Sequence, residues 1–145
     1  MNQTIIILSG GFDPVHIGHV RMFQAAKAFP ATVIVGLNSD SWLQRKKGKP
    51  FMPWDERKVI LDAMSCVDSV RDFNDDDESA CDLIRQILEE NKEQSSIKIF
   101  FGNGGDRTST NSPEVDFCND NNIDILWGVG GGKIQSSSDL IKGSL

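Results

Sequence analysis

Short apolar runs alternate along the chain with amphipathic segments, and this alternation restricts the fold more than any other feature. The runs are brief and rich in β-branched residues, which predicts buried strands at Thr4–Ser9, Thr32–Leu37, Val67–Phe73, Ile97–Phe101 and Ile123–Trp127. Between and after them, helical patterns predict helices at His19–Phe29, Trp54–Ser65, Asp77–Asn91 and Ser136–Lys142. Strands that alternate with helices form parallel sheets joined by right-handed crossovers. The sequence therefore predicts an α/β fold, a single Rossmann-like domain with a five-stranded parallel sheet and helices on both faces.

The size and composition of the chain are typical of one globular domain. It has 145 residues, of which 39% are hydrophobic and 25% charged, so residues 1–145 are expected to form one domain around one core. No apolar run approaches the ~20 residues that cross a bilayer, so no membrane partner is expected. The start, Met1–Thr4, lacks the basic segment and cleavage site of a secretory signal.

Cysteines and charge indicate the compartment and exclude one class of partner. Cys66, Cys81 and Cys118 lie far apart without metal-ligand spacing, which favours free thiols in a reducing, cytoplasmic compartment. The net charge of −6 argues against a nucleic-acid partner, because duplex binders carry a basic surface. The basic cluster Arg45–Lys49 is either a solvated loop or an anion site for a polyphosphate.

Functional residues are expected after the strands, because ligands in such sheets bind outside the carboxyl ends of the strands. The segments in question are Gly10–Gly18, Asn38–Lys49, Asn74–Glu78, Gly102–Pro113 and Gly128–Ser138. Within them, Gly102–Asn111 has the composition of a loop, and a loop of that length is usually functional or mobile. The acidic run Asp75–Glu78 is interpreted as the solvated, dipole-matched start of a helix rather than as a metal site.

The segment that follows the first predicted strand has the features of a phosphate site. Gly10 and Gly11 permit a tight turn and close approach of the backbone to a ligand. Gly18 is placed at a helix start, where backbone N–H groups can face phosphate oxygens. His16 and His19 lie three residues apart across that start and can reach the same anion. Neither a P-loop nor the dinucleotide fingerprint follows this strand, so the motif is of another kind.

This segment resembles the signature G-x-F-D-x-x-H-x-G-H of the cytidylyltransferase-like nucleotidyltransferases, through Gly10-Gly11-Phe12-Asp13 and His16-Ile17-Gly18-His19. The resemblance is closest to glycerol-3-phosphate cytidylyltransferase and to the adenylyltransferase domain of the bacterial heptose enzyme. It continues in the same order through nearly the whole chain, at Asn38-Ser39-Asp40, Lys47-Gly48-Lys49-Pro50, Pro53–Arg57, Gly104-Gly105-Asp106 and Ser136-Ser137-Ser138.

The resemblance implies a role for each motif. The triphosphate would be held by Gly10, Gly11, Phe12, Asp13, His16, Gly18 and His19. Lys47 or its neighbour Lys46 would reach the α-phosphate, while Gly105 and Asp106 would lie near the base or ribose. Ser136, Ser137 and Ser138 would cap a helix that meets the β- and γ-phosphates, and Lys133 would replace an arginine that the family carries at the position of Gly131. Asp40 and Arg57 would bind the acceptor.

The resemblance also implies the reaction. A nucleoside triphosphate, CTP or ATP, would react with a small phosphorylated acceptor, a polyol phosphate or a sugar phosphate, and release pyrophosphate. Mg²⁺ would bridge the triphosphate oxygens, and the enzyme would be a homodimer. No general base is needed, because the acceptor phosphate is already a nucleophile at neutral pH, so catalysis would rest on positioning and charge stabilisation.

Two other functions stay open at this stage. A coenzyme-type adenylyltransferase acting on nicotinamide mononucleotide or phosphopantetheine also fits Gly11–His16, although Lys47–Pro50 and Glu56-Arg57 count against it. A nucleotide-binding module without turnover fits the missing arginine, although the two intact histidines count against it. Trp54 is assigned either to the core or to an oligomer contact, and Trp127 is kept open as a base-stacking residue.

Overall fold

Five parallel strands form one sheet in the spatial order β3-β2-β1-β4-β5. The computed structural model describes residues 3–94, 96–104 and 112–129. Its strands are β1 Gln3–Gly10, β2 Thr32–Leu37, β3 Ser69–Arg71, β4 Ile97–Gly104 and β5 Asp124–Val129. In the centre, Ile7 pairs with Ile34 on one side and with Phe101 on the other. The predicted Rossmann-like fold with a five-stranded parallel sheet is confirmed, and the predicted helix Ser136–Lys142 lies outside the described residues.

The described residues contain helices α1 Ile17–Ala28, α2 Asp40–Lys47, α3 Trp54–Asp62, α4 Cys81–Glu90 and α5 Pro113–Asp120. The helices α2 and α5 were not predicted. In α2, Ser39 caps the start by accepting the N–H of Trp42, and Gly48 ends the helix with a φ of 87°. In α5, Ser112 is the cap and Pro113 opens the first turn. The interpretation of the basic cluster as a loop is therefore wrong, because three of its residues form the last turn of α2.

The helix predicted from Asp77 begins later, at Cys81. The residues before it form side-chain-capped turns, in which Asn74 accepts the N–H of Asp76 and Asp77 accepts that of Ser79. Asp75 in this segment is 2% exposed, so the acidic run is not uniformly solvated as predicted. The short polar side chains compete with the helix for backbone N–H groups and delay its start.

The core has one layer on each face of the sheet. Along β1, Ile6 and Leu8 belong to the layer that includes Phe23 of α1 and Leu61 of α3. Ile5 and Ile7 belong to the opposite layer, with the α4 side chains Leu83, Ile84 and Ile87 and with Cys118 of α5. A buried side chain of this size contributes roughly 1.5–3 kcal/mol. The prediction of helices on both faces is confirmed.

Three further features bear on the sequence expectations. Trp54 packs against the first core layer and donates from Nε1 to the carbonyl of Leu37 at 3.1 Å, which assigns it to the core. Cys66, Cys81 and Cys118 are free thiols. Among the described residues, every helix is too short or too polar to cross a membrane.

Candidate active site

A cavity of about 340 Å³ lies beside the carboxyl end of β1. This volume is at the lower end of the range for small-molecule sites. Its walls come from the turn after β1, from α1 and from α2, with the lining residues Gly11, Phe12, Asp13, His19, Trp42, Leu43, Lys46 and Lys47. Six of these eight residues are predicted site residues, which the fold brings together from three segments.

The turn after β1 needs glycine because side chains fill the space beside it. A Cβ at Gly10 would lie 3.0 Å from the ring of Phe12, and one at Gly11 would lie 2.8 Å from Cδ2 of Leu43. Phe12 has a φ of 48° and is only 3% exposed, and its ring packs edge-on against His19 at 4.8 Å. The side chain of Phe12 thus supports the histidine, and the contact of Phe12 with the nucleotide stays a prediction.

The two histidines cap the start of α1. Nδ1 of His16 accepts the N–H of Gly18 at 3.0 Å, and Nδ1 of His19 accepts the N–H of His16 at 3.2 Å. The two rings stack with their centroids 3.8 Å apart. Because each Nδ1 is an acceptor, the neutral rings carry their proton on Nε2. The N–H of Gly18 is therefore bonded to an imidazole and is not the free donor that was expected at this helix start.

The environment keeps His19 uncharged. Burial, together with the neighbouring His16, lowers the pKa of His19 to about 3. Its Nε2–H is therefore a neutral hydrogen-bond donor at pH 7. A donor held in place by the helix start can stabilise charge that develops on a phosphate without moving.

The last turn of α2 carries the two predicted catalytic lysines. Nζ of Lys47 donates to the carbonyl of Asp13 at 2.6 Å and lies 3.0 Å from its carboxylate. That carboxylate is 1% exposed and accepts the backbone N–H groups of Phe51 and Met52. This carboxylate therefore positions Lys47 and a loop, while Asp13 also lines the cavity and its contact with the nucleotide stays a prediction. Nζ of Lys46 lies 5.4 Å from the centroid of the Trp42 ring.

Arg57 lies beneath the site and not in it. Its side chain is fully buried and donates to the carbonyls of Gly11, Asn38 and Met52 at 2.8–3.0 Å. Its remaining contact is an ion pair with Asp40, whose side chain is 48% exposed. The expected contact of Arg57 with the acceptor is therefore corrected, since the guanidinium instead ties together the loops after β1 and β2. Asp40 stays accessible at the surface.

Asp75 is a site-supporting residue that the sequence did not indicate. Its carboxylate accepts the side-chain N–H of Asn38 at 3.0 Å, and the N–H and hydroxyl of Ser39 at 2.8 and 2.7 Å. Burial raises the pKa of Asp75, but these hydrogen bonds and the charge of Arg45 outweigh burial and hold the pKa below its usual value. Because Ser39 caps α2, Asp75 fixes the helix that carries both lysines.

Several predicted site residues fall outside the described residues, namely Gly105, Asp106, Lys133, Ser136, Ser137 and Ser138. Trp127 lies near the end of β5, is 39% exposed and is not among the residues that line the cavity. Within the part of the chain that the structure describes, no group of three or more His, Cys, Asp or Glu residues could hold a metal ion.

A family model described as cytidylyltransferase-like matches residues 7–129. The bifunctional protein HldE of Sulfurimonas denitrificans is 32% identical over 145 residues, which are 99% of this chain and 28% of that protein. The bifunctional protein HldE of Syntrophotalea carbinolica is 40% identical over 76 residues, 51% of this chain and 16% of that protein. The chain therefore spans less than a third of the length of these relatives.

The fold also matches solved structures. One is the lipopolysaccharide core biosynthesis protein from Thermoplasma volcanium, with a TM-score of 0.63 and 17% identity over 86% of this chain and 93% of that chain. At such identity, the likeness concerns the fold.

Proposed function

We propose a specific reaction for this chain, which belongs to the cytidylyltransferase-like family and is a nucleotidyltransferase. It transfers a nucleotidyl group from a nucleoside triphosphate to a small phosphorylated acceptor. A phosphate oxygen of the acceptor attacks the α-phosphorus and forms a new P–O bond. The bond between the α-phosphorus and the bridging oxygen breaks, and pyrophosphate leaves with the electron pair.

The donor we favour is ATP, and the acceptor is a sugar phosphate. The Gly104-Gly105-Asp106 turn resembles the heptose-type adenylyltransferases, and the matches to HldE proteins point in the same direction. CTP with a polyol phosphate is the second pair, supported by the general cytidylyltransferase pattern of the signature. A coenzyme-type adenylyltransferase is not favoured, because the two HldE proteins above are 32% and 40% identical to this chain over the matched residues.

One observation carries the proposal: a neutral, fixed histidine donor and a lysine meet on the walls of one cavity after β1. The triphosphate would bind over the start of α1, where Nε2–H of His19 donates to its oxygens. Lys47, anchored to the turn by Asp13, would neutralise charge on the α-phosphate. The described residues offer no clustered ligands for a metal, so Mg²⁺ would arrive with the triphosphate as part of the substrate.

The proposal is tested by pyrophosphate release. The chain is incubated with Mg²⁺ and each of ATP, CTP, GTP and UTP, crossed with hexose 1-phosphates, heptose phosphates and glycerol 3-phosphate. We expect release with ATP and a sugar phosphate, and its loss in the His16→Ala and His19→Ala variants. A Lys92→Ala variant is the matched control, because this exposed lysine lies beyond α4 and away from the cavity. Absence of pyrophosphate release with every pair would contradict the proposed reaction.

A further inference from the structure

A second cavity, of about 460 Å³, lies on the face of the sheet that α4 and α5 cover, and we call it the α4–α5 cleft. Its floor is formed by Ile97 and Ile99 of β4, and its apolar walls by Leu88 of α4 and Phe117 of α5. Among the described residues, it shares no lining residue with the cavity after β1, so the proposed reaction does not use it. Because Ile97 begins β4, the cleft lies towards the amino ends of the strands, whereas the candidate active site lies at their carboxyl ends.

The packing of the two helices explains why the cleft is open. A Cβ at Gly36 would lie 2.2 Å from Cδ2 of Leu83, so this glycine allows α4 to approach β2 closely. The other helix, α5, packs on β5, at the opposite side of the sheet. The start of β4 therefore lies between the two helices, and its side chains on this face are only partly covered.

The apolar side chains of the cleft are recessed below a polar rim. Leu88, Ile97, Ile99 and Phe117 are each half-buried, and none of them belongs to the exposed large apolar side chains of the described residues. The rim carries exposed polar side chains, namely those of Arg85, Glu89, Lys92 and Asn121. A small molecule reaches a recessed apolar floor that the flat surface of another protein does not reach. An apolar lining with a few polar groups is typical of small-molecule sites, and so is a volume of this size.

Arg85 supplies a positive charge at the rim of the cleft. Its Cζ lies 5.3 Å from the centroid of the Phe117 ring, and this cation–π contact holds the guanidinium beside the apolar wall. Among the described residues, its one ion-pair partner is Asp82, at 3.5 Å, and its side chain is 62% exposed. A guanidinium has five N–H donors, so this single contact leaves donors that a ligand can use. The other cation at the rim, Lys92, is already paired with Glu89 at 2.5 Å, so a bound anion is expected at Arg85.

We propose that the α4–α5 cleft binds a small amphipathic anion, with its apolar body on Ile97, Ile99 and Leu88 and its carboxylate at Arg85. The apolar body covers hydrocarbon surface that water otherwise contacts, and this burial stabilises the complex. Charge-assisted hydrogen bonds from the guanidinium favour the anion over a neutral molecule of the same shape. The proposal goes beyond the proposed function and does not depend on it, since the two cavities lie at opposite ends of the strands.

The test is a titration of the isotopically labelled protein with 2-naphthoate, followed by the amide chemical shifts, with neutral 2-naphthamide as the control ligand. We expect 2-naphthoate to shift the amides of the cleft, those of Leu88, Ile97, Ile99 and Phe117, and to bind about fivefold more tightly than 2-naphthamide. This ratio is the value of one exposed charge pair at the upper end of its range.

Variants assign the charge and the apolar contact separately. Arg85→Gln should weaken 2-naphthoate about fivefold and leave 2-naphthamide unchanged, and Arg85→Lys should recover part of the loss. Leu88→Phe fills part of the cleft and should weaken both ligands. Lys98→Gln is the matched control and should behave as the wild type, because Lys98 is a cation of β4 that is 63% exposed and does not line the cleft. Circular dichroism checks that each variant is folded.

Other outcomes overturn the proposal. Absence of shifts in the cleft at millimolar 2-naphthoate would refute the site, and shifts confined to the turn after β1 and to α2 would place the anion in the candidate active site. Equal affinities for the two ligands would remove Arg85 from recognition. A wild type that sediments as a dimer, with Leu88→Arg as a monomer, would show that a second copy covers the cleft. None of these measurements involves turnover, so failure of the proposed reaction would leave their result unchanged.

Discussion

Replacement of Arg57 by methionine should destabilise the protein far more than an ordinary substitution in a helix. Methionine keeps the buried stem, so the main loss is the donors to three backbone carbonyls, those of Gly11, Asn38 and Met52. A buried acceptor that loses its donor costs roughly 1–3 kcal/mol. Three such losses, each at the lower end of this range, give about 3 kcal/mol. The total should stay near this value, because the methionine variant no longer has to bury a charged guanidinium. The lost ion pair with Asp40 adds little, because that carboxylate is half exposed.

The assay is urea unfolding of Arg57→Met, with Lys58→Met as the control on the same helix. Lys58 pairs with Asp62 one turn away on the surface, and such pairs are worth about 0.3–0.5 kcal/mol. We expect a loss of about 3 kcal/mol in the free energy of unfolding for Arg57→Met and less than about 0.5 kcal/mol for the control. A loss below about 1 kcal/mol in Arg57→Met would show that the loops after β1 and β2 do not depend on this guanidinium.

Three further predictions concern the site itself. His16→Ala and His19→Ala should each lower kcat about 100- to 1000-fold and weaken nucleotide affinity much less. The two effects should be non-additive in the double variant. Equal losses in kcat and in affinity would mean that the rings only anchor the triphosphate. Lys47→Ala should lower kcat strongly, and it should also lower the unfolding midpoint, because it removes the ion-pair partner of the buried Asp13 carboxylate. Unchanged turnover would remove Lys47 from the chemistry. The pKa of His19 is about 3 in the native chain and 6.5 in the unfolded chain, so between these values the unfolded chain binds more protons and stability should fall as the pH drops. The urea midpoint should therefore fall less from about pH 7 to about pH 5 in His19→Asn than in the wild type. An equal fall in both proteins would contradict the lowered pKa.

The sheet could be predicted from the sequence because its strands are short apolar runs, and the reasons for the missed helices are local. For α2, the signals were present: a serine cap at Ser39 and a glycine stop at Gly48 enclose the helix. Its basic last turn and low content of apolar residues hid the helical period, since Leu43 is its one buried residue. For α5, Ser112 and Pro113 mark the start, but the preceding polar segment dominated the interpretation.

The site was predicted in outline, and the errors concern residues whose partners lie far away in the chain. Asp75 binds residues that precede it by 36 and 37 positions, and no local pattern reports such a pairing. A motif also does not distinguish a residue that contacts the substrate from a residue that only positions the contacting side chain. Asp13 and Arg57 were assigned to ligands on this ground, but the structure shows that both position other groups. Asp13 holds Lys47 and a loop at the cavity wall, and the buried Arg57 does not line the cavity.

The start of α1 links the fold to the chemistry through the same hydrogen bonds. Any helix start leaves N–H groups without partners, and here the ring nitrogens of His16 and His19 accept two backbone N–H groups at that start. Those bonds occupy Nδ1 and direct the remaining ring proton to Nε2, so the cap that begins the helix also selects the tautomer that donates to phosphate. Glutamine at either position can accept a backbone N–H as a cap, but it lacks a ring that stacks on its neighbour at 3.8 Å. The three-residue spacing of His16 and His19 therefore meets two requirements. The capping box needs side chains at the cap and at the third residue of the helix, and the paired hydrogen-bond donors need the same two positions.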